Sequence, residues 1–223
     1  MGIRYKCLVL DHDDTAVNST AVIHYPAHLK VMEELRPGFP VVSLEGWLEK
    51  NFHPGIMEYM KEDLGFSDRE IMREYEIWRE FTTKRVPDFF PGFMELVAQY
   101  KSEGGIVTVV SHSEEELILR DYHAAAPAEH VGPDMVFGWS FDDEKRKPHP
   151  YPVQQIMQTY GLKPEEVLIV DDLRPGVLMS KAVGVKIAGA GWSHQIPVIR
   201  EYMRQNCDLY FSSVSDFSNH VFL

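Results

Sequence analysis

Two aspartates directly follow a short apolar run near the N-terminus of the chain. The run Cys7–Leu10 has the pattern of a buried strand, and Asp11 and Asp13 come after it, one residue apart. Because alternate side chains of an extended backbone lie on the same side of a sheet, the two carboxylates can converge on one ligand. Burial alone does not favour acids at the end of a strand, so this pair indicates chemistry.

Three further polar sites accompany later apolar segments. Ser111 follows the run Ile106–Val110, the pair Asp171–Asp172 follows Val167–Val170, and Lys147 lies between them in a Lys-Pro-His-Pro stretch. In open parallel sheets, ligands bind outside the carboxyl ends of the strands. The sequence therefore predicts acids, a hydroxyl and an ammonium group in one crevice.

This set of residues suits phosphoryl transfer. A carboxylate that approaches a phosphate dianion meets a repulsion of roughly 4 kcal/mol per unit-charge pair at about 4 Å and an effective dielectric near 20. A bound cation would relieve that repulsion, and hard oxygen ligands favour magnesium over zinc or copper. The natural ligand candidates are Asp11, Asp171 and Asp172.

The remaining polar residues can bind the phosphate itself. We expect Ser111 to donate its hydroxyl to a phosphate oxygen, and the backbone amides after it, including that of His112, to contact the same anion. The helix that follows is predicted to be capped by the segment Ser113–Glu116. Lys147 can balance charge on both the attacking carboxylate and the phosphoryl group.

Five short apolar segments are predicted as strands. They are Tyr5–Leu10, Ile106–Val110, Met135–Trp139, Val167–Val170 and Val185–Ala188. Helical patterns separate the later ones, which predicts a doubly wound α/β fold in which helices cover both faces of a parallel sheet.

The stretch between Thr15 and about Pro91 interrupts this alternation. No comparable strand is predicted there, and the segment has the pattern of several helices. Ser67 and Glu70 have capping-box spacing, and an apolar stripe follows at helical intervals. The stripe consists of Ile71, Tyr75, Trp78 and Phe81. We predict a core of residues 1–17 and 89–223 with a helical insert at residues 18–88.

The composition and charge of the chain argue against several classes of protein. The chain has 223 residues, 44% of them hydrophobic, a formal net charge of −12 and two cysteines. Such a charge argues against a nucleic-acid partner, and two cysteines are too few for a disulfide framework. There is no secretory cleavage pattern and no apolar run of about 18 residues, so no membrane partner is predicted. We expect a cytoplasmic protein, and no oligomeric state is indicated.

In order and spacing, seven positions resemble the haloacid dehalogenase-like hydrolase superfamily. Its pattern is Asp-x-Asp-x-Thr/Val at one strand end, Ser/Thr at a second, then a lysine and an acidic pair. The matching residues are Asp11, Asp13, Thr15, Ser111, Lys147, Asp171 and Asp172. The resemblance implies a Rossmann-like core, and the insert looks like the cap domain of the phosphoglycolate-phosphatase and phosphomutase-like branch.

The resemblance also implies residue roles. Asp11 would be the nucleophile that forms an aspartyl-phosphate, and Asp13 would protonate the leaving group and then activate water. Magnesium would be bound by the Asp11 side chain, the Asp13 carbonyl and the acidic pair, chiefly Asp172. Two positions depart from the pattern: Asp14 stands where a glycine is common, and Gly176 where an acid is frequent.

The leading hypothesis is a magnesium-dependent phosphatase that hydrolyses small-molecule phosphate monoesters through an aspartyl-phosphate. One alternative is a sugar phosphomutase-type phosphotransferase, because the same intermediate can pass its phosphoryl group to a sugar hydroxyl. Another is a catalytically silent module that binds a phosphorylated ligand. Sequence does not separate these three, although the complete set of acids and lysine argues against the last.

Overall fold

The computed structural model describes residues 2–126 and 131–223 of the chain. These residues form two compact units. The core unit comprises Met1–Asn18 and Asp88–Leu223, and the helical unit comprises Ser19–Pro87. Each unit has its own hydrophobic core.

A six-stranded sheet, parallel throughout, forms the centre of the core unit. A separate antiparallel ribbon pairs β2 with β3. In chain order, the described strands are β1 (Cys7–Leu10), β2 (Val17–Asn18), β3 (Asp88–Phe89), β4 (Ile106–Val110), β5 (Met135–Phe137), β6 (Val167–Asp171), β7 (Lys186–Ala190) and β8 (Leu209–Phe211). The order across the sheet is β5-β4-β1-β6-β7-β8.

Ten α-helices lie in the described part of the chain. They are α1 (Tyr25–Leu35), α2 (Leu44–Phe52), α3 (Ile56–Glu58), α4 (Asp68–Lys84), α5 (Phe93–Ser102), α6 (Glu115–Ala125), α7 (Tyr151–Tyr160), α8 (Arg174–Val183), α9 (Pro197–Asn206) and α10 (Val214–Val221). Wider π-type turns at Thr20–His24 and Tyr59–Asp63 adjoin α1 and α3. None of the helices described is long and apolar enough to cross a bilayer.

The path of the chain through the sheet confirms the doubly wound α/β prediction. From β1 the chain moves outward to β4 and β5, and it then returns past β1 to build β6, β7 and β8 on the other side. The direction of winding therefore reverses around β1, which lies between β4 and β6. Such a reversal opens a crevice at the carboxyl ends of the central strands.

The strand predictions hold for the central strands and fail at the edges. β1 and β6 are buried along their whole length, which is why continuous apolar runs identified them. β8 was not predicted, because it is a three-residue, half-buried edge strand with no long apolar run. β5 ends at Phe137, two residues earlier than predicted, since the backbone amide of Trp139 donates to the Ser113 carbonyl instead.

In the helical unit, the predicted capping box is confirmed and the predicted stripe is partly wrong. The hydroxyl of Ser67 accepts from the backbone amide of Glu70, and the Glu70 carboxylate accepts from the amide of Ser67. Ile77 is the apolar α4 residue that is fully buried in the core. Tyr75 and Trp78 are only half-buried and stack on each other, so the buried face of α4 is rotated from the predicted one.

An unusual member of this core is His28 on α1. Its ring stacks on Trp47 with centroids 4.0 Å apart, and Tyr59 lies 6.0 Å away. Its Nε2 atom is buried without a hydrogen-bond partner in the described structure. Burial lowers the pKa of His28 to about 4, because the charged ring would lose its hydration.

We therefore predict that acid destabilises the helical unit through His28. Between pH 6.5 and about 4 the unfolded chain binds a proton that the folded chain excludes, so the free energy of unfolding decreases as pH falls. Full protonation would remove up to roughly 3 kcal/mol. Urea denaturation followed by tryptophan fluorescence at pH 7.5 and 4.5 should show a smaller pH effect in His28→Phe than in the wild type.

The matched control replaces the exposed His123 by phenylalanine, which should leave the wild-type pH dependence in place. Equal pH dependence of His28→Phe and the wild type would contradict the assignment.

Candidate active site

The register of the three central strands brings the predicted residues to one edge of the sheet. Leu10 pairs with Val109 of β4 and with Val170 of β6. The next residues on these strands therefore leave the sheet side by side, and the backbone amide of Asp11 still donates to the Val170 carbonyl at 2.9 Å. Parallel register, rather than proximity in sequence, assembles the site.

Lys147 connects two of the acids at the centre of the site. Its Nζ atom lies 2.6 Å from Oδ1 of Asp11 and 2.8 Å from Oδ2 of Asp171, and all three side chains are buried. Burial alone would lower the pKa of the Lys147 ammonium, but the two carboxylates outweigh it and raise that pKa. The lysine is therefore held as a buried cation between two strand ends.

The two members of the acidic pair have different partners. Both oxygens of Asp171 are engaged within the protein, Oδ2 with Lys147 and Oδ1 with the backbone amide of Leu173 at 2.9 Å. Within residues 2–126 and 131–223, no lysine or arginine forms an ion pair with Asp172. Its Oδ1 accepts from the Thr15 hydroxyl at 3.4 Å and its Oδ2 lies 3.2 Å from Nε2 of His194. Of the two carboxylates, Asp172 is therefore better placed to bind a cation.

Three of the acids meet the requirements of a divalent metal site. Ligand atoms of Asp11, Asp171 and Asp172 all lie within 4.8 Å of one another, and all three are buried. With the Lys147 ammonium, three carboxylates leave a formal charge of −2, which one divalent cation would neutralise. An all-oxygen set of this kind suits a hard cation. The residues present therefore fit the divalent metal that the sequence predicted.

The pKa values of two of the acids also reflect this uncompensated negative charge. Burial raises the pKa of Asp172, and the neighbouring carboxylates of Asp171 and Asp14 raise it further. Burial likewise raises the pKa of Asp11, against the opposing effect of Lys147. Both groups would be stabilised in their ionised form by a nearby cation.

Asp13 lies at the more open side of the site and is held by two serines. Its Oδ2 accepts from the Ser113 hydroxyl at 2.6 Å and from the Ser111 hydroxyl at 3.3 Å. The predicted capping by Ser113 is wrong, because α6 begins at Glu115 and the Ser113 hydroxyl binds Asp13 instead. Asp13 is half-exposed, so it can exchange protons with solvent or substrate more readily than Asp11.

His112 contacts the lysine loop through its side chain. Its Nε2–H donates to the Lys147 carbonyl at 2.8 Å. Burial, reinforced by the Lys147 cation, lowers the pKa of His112 to about 4, so the ring is neutral near pH 7. The side chain thus positions the Lys147 loop, and phosphate contact through the His112 amide stays a prediction.

The two departures from the family pattern each have a structural explanation. Asp14 has φ +55°, a left-handed conformation that glycine adopts freely and aspartate tolerates better than most residues. Gly176 lies against Asp171, since a Cβ atom there would come within 2.3 Å of its Cγ atom. No side chain fits at position 176 while Asp171 keeps its place beside Lys147.

A buried network that sequence analysis missed supports the turn carrying Asp11 and Asp13. Nε2 of His12 lies 3.1 Å from Oδ2 of Asp121, whose other oxygen accepts from Arg120 at 2.6 Å. The sequence signal for this network was the alternation of side chains around Asp11 and Asp13, which directs His12 away from the acids. Asp121 and Arg120 lie over 100 residues away and carried no signal.

Comparison with known proteins agrees with this site. The sequence profile of the haloacid dehalogenase-like hydrolases matches residues 5–184. Phosphoglycolate phosphatase from Haemophilus influenzae is 23% identical over 208 residues, which cover 89% of this chain and 92% of that protein. Pyrophosphatase PpaX from Bacillus cereus is 26% identical over 204 residues, covering 86% and 85%.

A solved structure has the same fold. The haloacid dehalogenase-like hydrolase from Streptococcus pneumoniae superposes with a TM-score of 0.74 at 17% identity, covering 97% of this chain and 98% of that one. The chain belongs to the haloacid dehalogenase-like hydrolase family, as the seven matching residues predicted. Its curated relatives carry phosphatase names, which agrees with the predicted reaction class.

We predict that the buried lysine is essential to the stability of this site. Replacing Lys147 by methionine would leave Asp11 and Asp171 buried without their cation, which should lower the free energy of unfolding by about 3–5 kcal/mol. Urea denaturation in the presence of a chelator at pH 8 measures this directly.

Lys6→Met is the matched control, since Lys6 is exposed and pairs with Glu166 at 2.7 Å. Loss of such a surface pair should change stability by less than about 1 kcal/mol. Similar losses in the two variants would contradict a special role for the buried pair.

Proposed function

We propose that this hydrolase is a magnesium-dependent phosphatase that releases phosphate from small phosphate monoesters through an aspartyl-phosphate. The observation that carries the proposal is the contact between the buried Asp11 and Lys147, with Asp172 nearby and Asp13 held by two serines. These parts supply a nucleophile, a cation, a metal ligand and a proton donor.

In the first half-reaction, an Asp11 carboxylate oxygen attacks phosphorus and the bond to the leaving oxygen breaks. Asp13 gives its proton to that oxygen, so an alcohol departs rather than an alkoxide. The Lys147 ammonium, 2.6 Å from Asp11, keeps the nucleophile ionised and faces the charge that develops on the phosphoryl group.

In the second half-reaction, Asp13 is ionised and accepts a proton from water as that water attacks phosphorus. The bond between phosphorus and the Asp11 oxygen breaks, which restores the carboxylate and yields inorganic phosphate. Ser113 and Ser111 keep the Asp13 carboxylate in one orientation through both steps.

Magnesium would be held by Asp11 and Asp172, with the Asp13 backbone carbonyl as a further ligand. When bound, it neutralises the phosphate dianion that Asp11 must approach. Asp171 belongs to the same acidic cluster, but both its oxygens have protein partners. We therefore assign it to positioning Lys147 and the turn after β6.

The substrate proposed is a small phosphorylated metabolite, selected by the helical unit acting as a cap. Support comes from the relatives, which are named for phosphoglycolate and for pyrophosphate hydrolysis. Phosphoglycolate, inorganic pyrophosphate and several sugar phosphates therefore form the first substrate panel.

We predict that hydrolysis of p-nitrophenyl phosphate requires both magnesium and Asp11. A chelator should abolish turnover reversibly, and Asp11→Asn should reduce it at least 10⁴-fold because the amide is not a nucleophile. Acid-quenched protein incubated with ³²P-labelled substrate should carry label in the wild type and none in the variant. Robust turnover by Asp11→Asn, with circular dichroism unchanged, would exclude covalent catalysis by this residue.

We predict that the effect of Asp13→Asn depends on the leaving group. General acid catalysis contributes about 10²–10⁴-fold for an alkyl phosphate, whose alkoxide needs a proton, and much less for p-nitrophenyl phosphate. Labelled phosphoenzyme should accumulate in this variant, because water is no longer activated. An equal loss on both substrates without accumulation would contradict the role of Asp13.

The same assays separate the alternatives. Isomerisation of a sugar phosphate without net phosphate release would identify a phosphomutase. Absence of turnover across the panel, with phosphorylated ligands still bound in calorimetry, would identify a binding module.

A further inference from the structure

We propose that His194 is a positioning residue that orients the Asp172 carboxylate for a divalent cation. This inference rests on the proposed function, because it assigns His194 a task only if a cation binds at Asp172. His194 lies in the loop Gly191–Ile196, which follows β7 at the same edge of the sheet.

The hydrogen bond between the two residues has a defined direction when a cation is bound at Asp172. Nε2 of His194 lies 3.2 Å from Oδ2 of Asp172, and the side chains are 11% and 1% exposed. A carboxylate that binds a cation is ionised and only accepts hydrogen bonds, so Nε2 carries the proton when the metal is bound. Thr15 donates to the other oxygen at 3.4 Å. The single Thr15 proton is shared with Asp11, whose Oδ2 lies 3.5 Å away, so the 3.2 Å contact with His194 is the closer restraint on Asp172.

Position 176 on the helix that follows Asp172 cannot supply this restraint. Gly176 on α8 is packed against Asp171, and a Cβ atom there would lie 2.3–2.4 Å from the Asp171 side chain. The loop after β7 supplies the contact with Asp172 that position 176 lacks.

That loop is anchored independently of His194. Nε1 of Trp192 donates to the Thr15 carbonyl at 3.0 Å, and the Trp192 ring stacks on Phe217 of α10. The loop is thereby attached to the same turn that carries Asp11 and Asp13. A side chain two residues beyond a fixed tryptophan has a well-defined position, which a restraining contact requires.

Packing alone does not explain why a histidine occupies position 194. Its Nδ1 atom is buried and has no hydrogen-bond partner in the described part of the chain. An apolar side chain of similar size would avoid that unpaired acceptor. The contact of Nε2 with Asp172 is what distinguishes histidine from such a residue here.

The test is calorimetric titration of the purified, metal-free full chain with Mg²⁺ and, separately, with Mn²⁺ at pH 8. Loss of a hydrogen bond to a ligating carboxylate typically weakens metal binding about 10–100-fold, and we expect this for His194→Leu. His194→Gln should keep the affinity within about 5-fold, because the Gln side-chain amide can donate from nearly the same place as Nε2.

Ser193→Ala is the matched control in the same loop, since the Ser193 hydroxyl is buried without a partner in the described structure. It should leave the metal affinity unchanged. Wild-type affinity in His194→Leu, or equal weakening in the leucine and glutamine variants, would overturn the inference.

A measurement on the wild type covers the case in which His194→Leu does not fold. At saturating Mg²⁺, long-range ¹H–¹⁵N NMR of the histidine rings should show His194 protonated on Nε2 and not on Nδ1. The opposite tautomer would overturn the proposal directly.

Failure of this inference is distinguishable from failure of the proposed function. If the wild type binds Mg²⁺ and hydrolyses phosphate esters while His194→Leu binds the ion equally well, only the role of His194 is lost. If neither Mg²⁺ nor Mn²⁺ binds the wild type, both proposals fall together.

Discussion

The buried cation of Lys147 between Asp11 and Asp171 is the interaction on which the rest of the site depends. Three carboxylates in a low-dielectric crevice would repel one another and resist ionisation without it. The single lysine compensates only part of that charge, and the remainder defines a place for a divalent cation. Stability and chemistry therefore rest on the same small group of atoms.

The doubly wound sheet makes this arrangement attainable. β1 lies where the winding reverses, so the strands that flank it present their carboxyl ends to a common crevice. The turn after β1 is held by the contact of His12 with Asp121, which also pairs with Arg120, and by the hydrogen bond from Trp192 to the Thr15 carbonyl. Contacts from distant parts of the chain thus hold the acids close together, although their negative charges repel one another.

The helical unit satisfies its own requirements for folding. It has a separate core around Val31, Met32, Trp47 and Ile77, and a capping box starts its longest helix. An insert with its own core can change in sequence without disturbing the sheet. The proposed roles, reaction in the core unit and substrate selection in the helical unit, would be compatible with this independence.

The sequence alone determined the fold class and the family, and it predicted which acids, serine and lysine the structure brings together. Continuous apolar runs mark buried strands, and charged residues directly after them have no packing explanation. The sequence did not predict the short edge strand β8 or the buried face of α4, because neither has a distinctive local pattern.

Only the tertiary structure decided which atoms meet. Ser113 binds Asp13 rather than capping α6, Asp171 is occupied by Lys147, and His194 reaches Asp172. The physical reason is that periodicity shows which face of a segment is buried but not which other segment covers it. A hydrogen bond between distant residues depends on how several segments pack together.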